Sequence, residues 1–113
     1  MIQTTDAQAS RGSRRQRTEA AIAHALARRW DEAAAENRAL LEENASDVEA
    51  ANRLGKALTE LDDLAGAEEA YVAALAIDSA NSIARKNLGR IQAARAGAEQ
   101  GAPAKGAKGT AAK

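Results

Sequence analysis

A chain of 113 residues with 45% hydrophobic but only 2% aromatic content holds one small domain, and the abundance of alanine favours closely packed helices over a thick core. The absence of cysteine excludes a disulfide framework, a cysteine-bound zinc and a thiol nucleophile, and fits a reducing compartment. A formal net charge of zero hides an uneven spread: residues 1–30 carry net +4, residues 31–78 net −10 and residues 79–113 net +6.

Residues 1–12 are polar and without periodicity, so they are expected to be disordered. Residues 13–28 read as a helix with Ala20, Ala21, Leu26 and Ala27 available for packing. Trp30 follows at a turn, where a packing role is expected, and Asp31 is the expected cap of a second helix running to about Asn44, with Ala33, Leu40 and Leu41 inward. Residues 44–47 form a linker. Ser46 with Glu49 fits a capping box opening a third helix at Val48. On that helix Ala51, Leu54, Gly55, Leu58 and Leu61 fall at helical spacing on one face. The run Asp62-Asp63-Leu64-Ala65-Gly66 breaks the pattern, with Asp63 the expected N-cap of a fourth helix. Its inner stripe is Ala67, Ala70, Tyr71, Ala74 and Leu75. Gly55, Ala67, Ala70 and Ala74 carry almost no side chain, so the third and fourth helices can approach closely. After a second linker at residues 78–81, residues 82–96 read as a fifth helix with Leu88, Gly89 and Ile91 on its packing side. Residues 97–113 are Ala, Gly and Lys with one Pro, a composition that builds no core.

These elements repeat every 34 residues. Leu54-Gly55 returns as Leu88-Gly89, Ala67 has its counterpart at Ala33, Ala74-Leu75 at Leu40-Leu41, and Asp47 at Asn81. A helix-turn-helix unit of this period resembles the tetratricopeptide repeat. The family pattern reads here as Ala51 in place of its Trp, then Leu54-Gly55, Leu58 in place of Tyr, Ala67, Tyr71 at the second-helix aromatic, and Ser79 in place of Pro. The resemblance centres on residues 48–81 and ends before about Ser13 and after about Gly97. It implies an all-α fold, a short right-handed helical-hairpin solenoid of two repeats, about residues 14–47 and 48–81. Residues 82–96 would be a C-terminal capping helix, for which Arg85, Lys86, Arg90 and Arg95 supply a polar outer surface. It also implies a non-enzymatic protein–protein interaction module, an adaptor or scaffold.

No catalytic constellation is visible, and no cofactor is expected. His24 is the sole histidine and has no cysteine or second histidine to share a metal. The carboxylates read as turns and solvated helix faces, and no glycine-rich phosphate loop precedes a helix. No apolar run approaches the roughly 20 residues of a membrane span. The N-terminus has no apolar export segment, and Arg14-Arg15 leads into Gln16, Arg17 and Glu19 rather than a twin-arginine signal, so a cytoplasmic protein is expected.

In the resembled family the first helix of each repeat lines a concave surface. Asn52, Lys56 and Thr59 share one stripe of the third helix, and Lys86, Arg90 and Ala93 are the stripe one period later. Asn52, Lys56, Lys86 and Arg90 are therefore the expected ligand-binding residues, for an acidic or C-terminal peptide, against the alternative of an ordinary solvated face. Some family members grip a partner's terminal carboxylate with Lys and Asn residues from successive repeats. Laid on this chain, that pattern is met only by Asn87, because Asn52 stands at the expected Lys and Lys56 at the expected Asn. Two further readings use the charges. Arg11, Arg14, Arg15 and Arg17 with Lys105, Lys108 and Lys113 are basic ends of the kind that neutralise nucleic-acid phosphates, though without interleaved aromatics. The acidic middle also complements the basic ends of a second copy, which would give self-association.

Overall fold

Apolar and small residues at helical spacing, broken by short polar turns, produce five helices in succession among the described residues. The computed structural model describes residues 2–99, with side chains from Gly12 to Ala98. The helices are α1 (Ile2–Leu26), α2 (Trp30–Glu43), α3 (Val48–Glu60), α4 (Leu64–Ile77) and α5 (Ser82–Glu99), with no strand among the described residues. Each helix packs chiefly on the next, and α3 also meets α5.

The 34-residue period extends to the backbone of the turns. Arg28 and Asp62, one period apart, both take positive φ, at 61° and 65°. At each, the chain leaves a helix in the same way. The Arg28 N–H donates to the Ala25 carbonyl and the Asp62 N–H to the Thr59 carbonyl, both at 3.0 Å. The next N–H groups reach back five residues, Arg29 to His24 and Asp63 to Leu58, both at 2.8 Å. This pair of bonds satisfies carbonyls that a helix end would leave orphaned. The linkers repeat as closely. Asn44 and Asp78 close α2 and α4 with extended backbone, their N–H groups bonded to Leu40 and Ala74. Their side chains then accept from Ser46 and Ala80, at 3.0 and 3.1 Å. Asp47 and Asn81 cap the following helices by accepting from the Ala50 and Ala84 N–H groups, at 3.0 and 2.9 Å.

Several details differ from the sequence expectation. Helix α1 begins at Ile2 rather than Ser13: residues 2–12 contain no proline, and a nucleated helix propagates through residues that do not forbid it. It ends at Leu26, two residues short of the expectation, because the left-handed turn at Arg28 closes it. Leu26 is 82% exposed and Ala27 is exposed, so neither packs; Ala21, fully buried, is the residue that does. Helix α2 is capped at Arg29 with no side-chain bond, and Asp31 sits in its first turn. The cap of α3 is Asp47, not Ser46, whose own N–H is occupied by Asn44; a carboxylate three residues before Ala50 is the better placed acceptor. Leu61 is the C-cap of α3, 38% exposed, because the turn swings it off the packing face. Helix α5 continues to Glu99, three residues beyond the expected end, and the rest of the expected tail lies outside the described residues.

The core is built largely from alanine. Ala51, Leu54, Ala57 and Leu58 of α3 meet Ala67, Ala70, Tyr71 and Ala74 of α4, joined by Ala33 and Ala34 from α2 and Ala84 and Ile91 from α5. Tyr71 is 2% exposed, and a Cβ placed on Gly55 would lie 2.5–2.7 Å from three of its ring atoms. The ring therefore occupies the space that any side chain at Gly55 would need. Burying Tyr71, Leu54 and Leu58 contributes about 1.5–3 kcal/mol each. In the preceding unit the position equivalent to Tyr71 is Asn37, also fully buried. Its amide donates to the Ala33 carbonyl at 2.9 Å, and its oxygen accepts from Arg53 Nε at 3.0 Å. A buried amide thus stays satisfied and links α2 to α3.

Candidate functional site

Helices α3, α4 and α5 enclose a groove of about 250 Å³. One wall is Lys56, Thr59 and Glu60 of α3; the other is Asn87 and Arg90 of α5, with Tyr71, Leu64 and Ile91 beneath. The geometry follows from helical spacing. Lys56, Thr59 and Glu60 lie at i, i+3 and i+4, as do Asn87, Arg90 and Ile91, so each trio lies on one side of its helix.

The floor is largely buried and the rim charged. Thr59 Oγ1 donates to the Gly55 carbonyl at 2.7 Å, turning its side chain back along its own helix. Tyr71 lies beside it. Burial raises the phenol pKa above its ordinary 10.0; a hydrogen bond with Thr59 pulls it partly down, and the Glu60 charge pushes it up. On the rim the exposed Lys56 ammonium sits 2.7 Å from Glu60 Oε2 and 5.8 Å from the centre of the Trp30 ring. That fixes the lysine between a carboxylate and an aromatic face. Arg90 is exposed and makes no ion pair among the described residues, so its planar fork of donors is open to a carboxylate.

A second hollow, about 260 Å³, adjoins the same Lys56–Glu60 pair on its other side and is lined by Ala25, Leu26, Arg28 and Trp30. The pair thus stands between a groove with an apolar floor and Arg90 on its rim and a hollow lined by Arg28, an exposed leucine and a half-buried tryptophan.

Of the four residues expected from the sequence, Lys56 and Arg90 line one groove. Asn52 and Lys86 do not. The Asn52 amide donates to Asn81 Oδ1 at 3.1 Å, tying α3 to the residue that caps α5, which is a structural use of that side chain. Lys86 is exposed and lies outside the lining, because α5 turns its 87, 90, 91 and 94 positions toward α3 rather than its 86, 90 and 93 positions. Asn87 and Glu60 are the polar lining residues outside the predicted stripe; the signal was present in Ile91, whose i−4 neighbour is Asn87.

Among the basic residues of the N-terminal end, Arg17 is held by Glu36 at 3.2 Å. The Arg11 side chain and Lys105, Lys108 and Lys113 lie outside the described residues. Among the described residues no group of His, Cys, Asp and Glu is arranged to hold a metal ion, and no helix is long and apolar enough to cross a membrane. No protein-family model matches the chain, and no curated protein matches it.

Proposed function

We propose that this chain is a cytoplasmic, non-enzymatic adaptor of the tetratricopeptide type. Two helical-hairpin repeats form a short right-handed solenoid, α5 closes it, and a partner segment bearing carboxylates lies in the groove between α3 and α5. The observation that carries the reading is that Lys56 and Arg90, one 34-residue period apart, line a single groove with a buried aromatic floor. Repetition of the helix ends and caps at the same period supports the solenoid. Each exposed ion pair contributes about 0.2–1 kcal/mol and is sensitive to salt, so micromolar affinity is expected rather than tight binding. Positive charge adjoining an acidic segment orients an anionic ligand on approach.

The test is a pull-down with the wild-type chain and with the double variant Lys56→Glu, Arg90→Glu as baits. Both side chains are exposed, so the variant keeps its helical content. A partner retained by the wild type and lost by the folded variant supports the reading. Retention by both refutes the groove.

A further inference from the structure

The row of positions that carries Lys56 and Arg90 begins one period earlier, at Ile22 on α1. The neighbouring row, through Glu60 and Ala94, begins at Leu26. Where α3 sets Lys56 and Glu60 and α5 sets Arg90, α1 sets two large apolar side chains. Ile22 is 41% and Leu26 82% exposed, and at i and i+4 they share one side of their helix. The other large apolar side chains exposed among the described residues, Leu61, Val72 and Ile83, stand singly, which needs no explanation. Leu26 also lines the hollow of about 260 Å³ with Trp30 and Arg28, and that hollow shares Lys56 and Glu60 with the groove. The two cavities therefore adjoin along one trough, apolar at α1 and cationic at α5. Its charged lining is Arg28, Lys56 and Arg90 against the single carboxylate of Glu60.

We infer that the partner segment is bipartite: an extended run of chain that sets carboxylates against Lys56 and Arg90 and, about five or six residues away, lays a large apolar side chain on Leu26 and Trp30. The inference rests on the groove reading and adds to it an apolar anchor and a spacing. The spacing follows from the helices. Neighbours pack roughly 8–10 Å apart, so the two steps from α1 past α3 to α5 span about 16–20 Å, and an extended chain advances about 3.3 Å per residue. Charge sets the sign of the occupant, because three cations face one carboxylate. It excludes this chain's own last residues: 100–113 contain three lysines and no Asp or Glu. The apolar end supplies what exposed ion pairs do not, since covering a leucine and a tryptophan removes apolar surface from water and is insensitive to screening by salt.

The test uses the full chain and two octapeptides blocked at both ends, Leu-Leu-Ser-Gly-Ser-Gly-Asp-Asp and the same sequence reversed. Anisotropy of the fluorescein-labelled peptides reads affinity. Trp30 is the sole tryptophan, so its emission on titration with unlabelled peptide reports the hollow. The chain variants are Leu26→Ser and the double variant Lys56→Glu, Arg90→Glu, all at exposed positions and each checked for helical content by circular dichroism. Saturable binding of one peptide order with a change in Trp30 emission supports the inference, provided four changes each weaken it about tenfold or more: Leu26→Ser, the double variant, serine for the peptide leucines, and deletion of the Ser-Gly-Ser-Gly spacer. Binding unchanged by Leu26→Ser or by loss of the peptide leucines overturns the inference and leaves the groove standing. Binding unchanged without the spacer overturns it as well, because adjoining anchors do not reach both α1 and α5. Binding lost on Leu26→Ser but kept by the double variant overturns the groove and the inference with it. The absence of saturable binding of either order up to millimolar peptide overturns the inference, while the groove is judged by the pull-down. A concentration-dependent doubling of mass that Leu26→Ser abolishes overturns it by making the occupant a second copy.

Discussion

Replacing Gly55 with alanine places a methyl group 2.5–2.7 Å from three Tyr71 ring atoms, where carbon atoms sit comfortably at about 3.5–4.0 Å. The ring must retreat by about 1 Å, and the only free space beside it is the groove it floors, so it gives up the contacts that bury it. Ala67 and Ala70, both buried in the same cluster, are already too small to yield volume. Overpacking of this kind costs about 1–3 kcal/mol, from which helix propensity returns up to about 1 kcal/mol. The expected net loss is about 1–2 kcal/mol. The same substitution at Gly89 meets open space and collects only the propensity gain, about 0.5–1 kcal/mol of added stability. Urea melts followed by helical circular dichroism compare the two variants with the wild type. With a slope of about 1–3 kcal/mol per molar urea, the two midpoints separate on the order of 1 M, on opposite sides of the wild type. Shifts of the same sign would refute the Tyr71–Gly55 contact as the basis of α3–α4 packing.

Three further outcomes follow from the core, the caps and the buried phenol. Leu54→Ala destabilises by about 2–5 kcal/mol and Tyr71→Ala by about 3–5, large fractions of a small domain's total, whereas Leu26→Ala leaves the urea midpoint nearly unchanged. Asp47→Ala costs about 0.5–2 kcal/mol as a lost N-cap, while Ser46→Ala stays within about 0.5 kcal/mol; equal losses in thermal melts would show that the cap of α3 is misplaced. Burial raises the Tyr71 pKa above 10.0, so its stabilising contribution is complete below the unfolded value and is lost as pH rises through the folded one. Stability curves from pH 8 to 11 should therefore fall more steeply for the wild type than for Tyr71→Phe, which has no proton to lose, and parallel curves would contradict this.

Much of the fold was legible because its signals are local. The spacing of Leu54, Gly55 and Leu58, the small residues of α4 and the polar linkers mark helices and turns without tertiary information. Periodicity carried further: two identical offsets found Lys56 and Arg90, which the structure sets in one groove. What stayed hidden depends on rotation and on competition between acceptors. A stripe drawn through Lys86 and Arg90 passes through exposed positions, but the packing of Ala84 and Ile91 turns Asn87 inward. Asn52 shares the stripe of Lys56, but its amide donates to Asn81 Oδ1, a partner 29 residues away in sequence. Ser46 and Asp47 both suit a cap, and only backbone geometry chooses between them. Asn37 carries no sign in sequence that it would be buried; its partners Ala33 and Arg53 are assembled by the packing of α2 on α3.

The groove between α3 and α5 is tested most directly by amide chemical-shift mapping of the isotope-labelled full chain, titrated with the segment of whichever partner the wild-type bait retains and the double variant loses. The largest saturable shifts are expected at Lys56, Thr59, Asn87 and Arg90, with little change at Asp31, Glu42 and Glu69 on α2 and α4. Shifts concentrated on α2 and α4, with Lys56 and Arg90 unmoved at saturation, would contradict the groove as the binding site.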